Sequence, residues 1–359
     1  MRKKRVGVIV AIGVGALVLA AVLARCGDER LNGGTAVAAP AKKVDFPRDR
    51  AMRALRERAK TKQATTTTPT KETVGRDRLT RAMSSPGKNG AVMIEVNALR
   101  HSPLVDAILE CRKQQHTDDA NGLALLKSEF GIDLTEDVDR VAMDAEVLAV
   151  SGFFSKLQLP ADLGEGTAYG DGGRIFSMTT DDDKPAFMAK VGDDLMMTST
   201  DEAQLKAAID RAEGRAEAPP SFPEGIVGGE IYGLIGPELL KGLVGLAGDS
   251  PLAPFSEMLT TSALRVAVDE DAALSLDLGA RSPEDADQLS RAIGGALAVA
   301  RADAKNNGHD ELAALLEQAR VEPRGDGSIA LDVAVPGKDL LRILGCPAST
   351  TAPSPAQAP

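Results

Sequence analysis

Two five-residue stretches decide how this chain of 359 residues is read: Arg140-Val141-Ala142-Met143-Asp144 and, 125 positions later, Arg265-Val266-Ala267-Val268-Asp269. Each is a short apolar run closed by charges, the pattern of a strand ending in a turn. Each leads into a second apolar segment, 146–153 after the first and 272–279 after the second. The far ends correspond as well. Gly192-Asp193-Asp194 precedes a strand at 195–200 and a helix that Asp201 opens and that runs through Arg211. Gly325-Asp326-Gly327 precedes a strand at 329–335 and a helix through Leu344. This shared order predicts an α+β fold in two tandem copies of one module, each an antiparallel sheet with packed helices, at 91–218 and 224–346. The Pro-rich stretch Ala218-Pro219-Pro220-Ser221-Phe222-Pro223 separates them.

Within the first copy, 91–96 reads as a strand, and Ser102-Pro103 is a strong opening for a helix to Gln115. A helix at 121–130 and strands at 174–179 and 186–191 follow. In the second copy 229–234 is strand-like, and helices are expected at 237–246, 252–259, 283–305 and 310–320.

The N-terminus has a different character. Arg2, Lys3, Lys4 and Arg5 precede the uncharged run 6–24, which as a helix spans roughly 28 Å, close to the ~30 Å hydrocarbon core of a bilayer. The leading charges hold the tip 1–5 in the cytoplasm and send the rest of the chain outward. The expectation is a single-pass signal anchor in the inner membrane, with the C-terminal body in the periplasm. The rival reading turns on Cys26. Leu23-Ala24-Arg25-Cys26 resembles a lipobox whose cysteine is lipidated after cleavage, although Arg25 stands where a small residue is wanted. A cleaved, secreted form is the third alternative. Gly7, Ala11 and Gly15 lie at four-residue spacing and would let two anchor helices dimerise.

Residues 25–90 have the composition of a tether, with the run Thr65-Thr66-Thr67-Thr68-Pro69-Thr70 and few large apolar groups, so they are expected to be mostly disordered apart from a basic helix at 48–62. The Pro/Ala-rich tail 347–359 is read the same way. Residues 1–90 hold 20 basic and 7 acidic groups, against 22 and 45 in the rest. A basic neck thus carries an acidic body, and the two should attract each other weakly.

Composition narrows function. Ten aromatic residues, none of them Trp, disfavour the stacking platforms of single-stranded nucleic-acid binding, and no nucleic-acid partner is expected. Three His leave little room for a His-built metal centre. There is no G-x-S-x-G, H-E-x-x-H, Walker A loop, C-x-x-C or EF-hand loop. Gly87-Lys88 and Gly337-Lys338 lack the earlier glycine of a phosphate loop, and Gly164-Glu165-Gly166 lacks a dinucleotide context. His101, Cys111, His116, Asp118 and Asp119 are the densest polar cluster, but their spacing implies no tetrahedral site. Asp181-Asp182-Asp183 and Asp193-Asp194 read as solvated turns, and His309 as part of a helix-start loop. No catalytic, cofactor-binding or metal-ligating residue is therefore assigned. Cys111 and Cys346 could pair as a disulfide, leaving Cys26 for lipid; the alternative is two unpaired thiols.

In its basic-plus-apolar anchor, low-complexity tether and Ala/Gly-rich, Trp-free body, the chain resembles membrane-anchored or lipoprotein-type envelope proteins of myxobacteria and similar Gram-negative bacteria. That resemblance supplies no functional residues. The expected function is a membrane-tethered periplasmic binding or structural module that takes another envelope protein as partner. The alternative is an envelope enzyme with a dispersed Asp/Glu site.

Overall fold

The computed structural model describes residues 78–84, 90–115, 132–133, 136–159, 163–179, 184–217, 222, 226–236, 257–308, 310–324, 326–344 and 346. The expected anchor at 6–24, Cys26, the basic helix at 48–62, the helices at 121–130 and 237–246, His116, Asp118, Asp119, Asp181-Asp182-Asp183, His309 and the tail lie outside them. Among the described residues no helix is long and apolar enough to cross a membrane.

Among the described residues, twelve strands run as β1 (Gly90–Glu95), β2 (Val138–Asp144), β3 (Leu148–Gly152), β4 (Thr167–Tyr169), β5 (Gly173–Thr179) and β6 (Pro185–Val191), then β7 (Leu195–Ser199), β8 (Ile231–Ile235), β9 (Ser262–Val268), β10 (Ala272–Gly279), β11 (Arg320–Pro323) and β12 (Ser328–Val335). The helices are α1 (Arg78–Ala82), α2 (Val96–Arg100), α3 (Pro103–Gln115), α4 (Glu202–Glu213), α5 (Pro283–Asn306), α6 (Asp310–Glu317) and α7 (Gly337–Ile343). The protein is α+β, and all twelve strands join one antiparallel sheet in the order β11-β12-β10-β9-β8-β1-β2-β3-β7-β6-β5-β4. The expected modules are thus not separate sheets, because β1 and β8 pair at the middle, with Ile94 opposite Ile231. Read outward from that pair, the order is β1-β2-β3-β7-β6 on one side, continued by β5-β4, and β8-β9-β10-β12-β11 on the other.

The period of two along each strand assigns the faces. The pairings Ile94–Val141, Ile231–Val266 and Val266–Leu274 put these residues on one face, where Leu276, Leu278 and Ile329 pack against Ala286 and Leu289 of α5. The opposite face carries Met93, Ala142, Ala149, Met197 and Tyr232, and α4 covers it with Leu205, Ala208, Ile209 and Ala212. Those four residues recur at three- and four-residue spacing, so one stripe of the helix is apolar. Asp201 starts it, its carboxylate accepting the Ala203 N–H at 2.8 Å. Ser282 does the same for α5, accepting from Asp285 at 3.1 Å, with Pro283 next to it.

Helix α1 corrects the expected boundary of the tether. Leu79, Ala82 and Met83 are buried in the core beneath α4, and the half-buried Arg211 guanidinium donates to the Ala82 carbonyl at 2.7 Å. The folded body therefore reaches back to Arg78. The expected helix at 310–320 also ends early, at Glu317, and Arg320 begins the edge strand β11. Both sheet edges are blunted: β4 is three residues long, and β11 carries Arg320, Glu322 and Pro323, which discourage a further strand from adding.

Candidate functional site

The β9–β10 turn, Asp269-Glu270-Asp271, is the root of two helices. Helix α3 starts there because Ser102, almost fully buried, donates its hydroxyl to the Asp269 carbonyl at 3.1 Å and accepts the Val105 N–H at 3.2 Å. The Leu104 N–H also reaches the Asp269 carbonyl, at 3.0 Å. Helix α7 starts from the same turn, its Gly337 N–H donating to the Asp271 carboxylate at 3.1 Å. The two helices lie against each other through Leu104 and Leu340, which share a small core with Val268 and Val335.

Between them runs a groove of about 530 Å³. Pro103, Leu104 and Ala107 of α3 form one wall. Lys338, Leu341 and Arg342 of α7 form the other, and Glu270 stands at the turn. Asp339 also lines the groove and accepts from Arg342 at 3.1 Å. Cys346, beyond the end of α7 that lies away from the turn, is part of the lining too. It is joined to Cys111 of α3 in a disulfide, with Cα atoms 5.5 Å apart and a sequence separation of 235. That distance lies within the range a disulfide spans without distortion. Cys346 is held in place by its own N–H, which donates to the Leu341 carbonyl at 2.8 Å.

Of the other polar residues singled out in the sequence, the described His101, Asp193 and Asp194 do not line this groove. His101 places Nδ1 2.7 Å from the Asn97 carbonyl, one turn back along its own chain. Cys111 is bonded to sulfur and is no thiolate ligand. Asp193 pairs with Lys190 at 2.8 Å and Asp194 with Arg78 at 2.5 Å, both as exposed turn contacts. Among the described residues no three His, Cys, Asp or Glu side chains are grouped to hold a metal. A second polar cluster, unmarked in the sequence, lies on the α4 side of the sheet, where β1 meets β8. Glu230 is almost fully buried and accepts the Val268 N–H at 2.7 Å, while the Tyr232 hydroxyl donates to Glu95 at 2.9 Å. Each carboxylate takes a hydrogen bond from the sheet itself, as a polar joint between strands would.

The groove escaped sequence reading because its lining comes from three segments far apart in the chain. Only Ser102-Pro103 and the cysteine pair carried a signal. No family model matches the chain, and no curated protein matches it. It is similar to a solved structure, crystal form I of TP0453, at 13% identity and a TM-score of 0.40, over 76% of this chain and 97% of that one. So distant a likeness decides neither fold nor function.

Proposed function

We propose that the chain is a membrane-tethered module of the cell envelope, with its body on the periplasmic side, and that it acts by binding an envelope protein in the α3–α7 groove. The observation that carries this reading is the Cys111–Cys346 bond, because disulfides persist in oxidising compartments and are rare in the cytosol. The basic-plus-apolar N-terminus points the same way. The groove has apolar walls at Leu104, Ala107 and Leu341, with Glu270 at the turn and the exposed Lys338 and Arg342 beside them. Its fitting occupant is a protein segment that places an apolar side chain between these walls and charges of both signs. The symmetric strand order about β1–β8 supports two copies of one module fused into a single sheet. The helices diverged, since α4 covers one face and α7 the other.

A photo-reactive amino acid at Lys338 in the full chain, activated in intact envelopes, tests the reading. One identified protein should be captured through a segment of that chemistry. It should not be captured from Lys206 on the distant helix α4, and it should be lost when Ala107→Arg fills the groove. Capture from both positions, or capture that Ala107→Arg leaves unchanged, would reject the groove as the contact site.

A further inference from the structure

We infer that the Cys111–Cys346 disulfide is a redox latch that sets the width of the groove, so that reduction frees α7 while the sheet stays folded. The inference rests on the reading of the groove as the contact site, but its test needs no partner.

The argument is one of unequal ends. At the turn, α3 and α7 are fixed by main-chain and side-chain hydrogen bonds to Asp269 and Asp271. At the far end, the disulfide covalently joins the two sides. Helix α3 has 13 residues and a serine cap at its start, with Leu104 buried. Helix α7 has only 7 residues, and its N-cap residue Pro336 supplies no side-chain cap, so its start is held from outside by Asp271. A helix that short has little stability of its own, so it keeps its shape through what it packs on. It packs through Leu340 on the small Leu104–Val268–Val335 core, lies against α3 and α6, and is tied through Cys346 to the disulfide. The main cores contain no α7 residue, so losing this wall leaves them intact.

The chemistry balances with a dithiol as reductant. One thiolate of the reductant attacks a sulfur of the Cys111–Cys346 bond, which breaks and releases the other cysteine as a thiolate that takes up a proton. The reductant's second thiolate then attacks its own sulfur in the mixed disulfide and releases the remaining cysteine. The reductant leaves as a cyclic disulfide, and the protein keeps two thiols. Cys111 and Cys346 are buried, so attack follows a transient lifting of the α7 end. The latch is then slow to open and stable in the oxidised envelope.

Amide hydrogen exchange of the full chain, before and after dithiol treatment, reads the effect. Reduction should accelerate exchange across 338–344 at least about tenfold and leave β1, β8 and α4 unchanged. The Cys346→Ser chain, without reductant, should show the same pattern. Unchanged exchange at 338–344 after the bond is shown to be reduced would overturn the latch. Acceleration that spreads equally through β1 and β8 would overturn it too, because the bond would then be a staple for the whole body. Neither outcome depends on what the photo-reactive chain captures.

Discussion

Gly337 leaves no room for a methyl group: a Cβ there would lie 2.1 Å from the Glu270 carbonyl oxygen, which is backbone and cannot swing aside. Gly337→Ala should therefore push α7 off the β9–β10 turn and cost about 1–3 kcal/mol, measured as a lower urea midpoint. In the sequence this glycine was visible only as part of a failed phosphate-loop match, because close approach between distant segments leaves no local trace. Asp326 is a gentler case. The Ser328 hydroxyl and N–H both donate to its carboxylate, at 2.6 and 3.0 Å, and hold its pKa below the usual carboxylate range. A depressed folded value means that the contribution is present above the unfolded pKa and fades as pH falls through the folded one. Asp326→Asn should lower stability slightly near neutral pH. Its midpoint should merge with that of the unaltered chain as titration proceeds downward through the carboxylate range. A gap that persists in acid would assign the loss to packing and not to charge.

At the scale of elements, burial and caps explain which segments could be read in advance. Helix α4 combines an Asp201 cap with an apolar stripe, and β10 falls at the expected 272–279 because Leu274, Leu276 and Leu278 alternate with smaller or polar residues. The short edge strands β4 and β11 were not legible. Thr167–Tyr169 is too brief to show a period, and Arg320–Pro323 is polar because it faces solvent at the sheet edge. Helix α1 was hidden for a related reason: its apolar residues are few and sit in charged surroundings, and their meaning comes from the α4 surface that receives them. Leu205 is fully buried on that surface. Leu205→Ala should cost about 2–5 kcal/mol by opening a cavity between α4 and the sheet, read as a fall in Tm. It should also expose Arg78 and Arg81 to trypsin sooner than in the unaltered chain.

For the whole molecule, the decisive fact is non-local. The sequence showed similar runs in two halves but not that β1 would pair with β8, since pairing partners 137 or more residues apart leave no pattern to read. Gly233 sits in that junction, and a Cβ there would lie 2.2 Å from the Ala91 carbonyl oxygen. Gly233→Ala should thus weaken the centre of the sheet by about 1–3 kcal/mol. With a shared sheet, both halves should still unfold together, with the same urea midpoint by far-ultraviolet and near-ultraviolet circular dichroism. The cysteine pair was legible as an option because the count left few alternatives, and the fold decides it by bringing Cys111 and Cys346 to 5.5 Å between Cα atoms. The compartment reading hangs on that bond. The direct test is to quench cells producing the full chain in acid, block free thiols by alkylation, and identify the cysteine peptides by mass spectrometry. The expected result is a linked pair containing Cys111 and Cys346 with neither residue alkylated. Recovery of both as alkylated, unlinked peptides would contradict an oxidised envelope module.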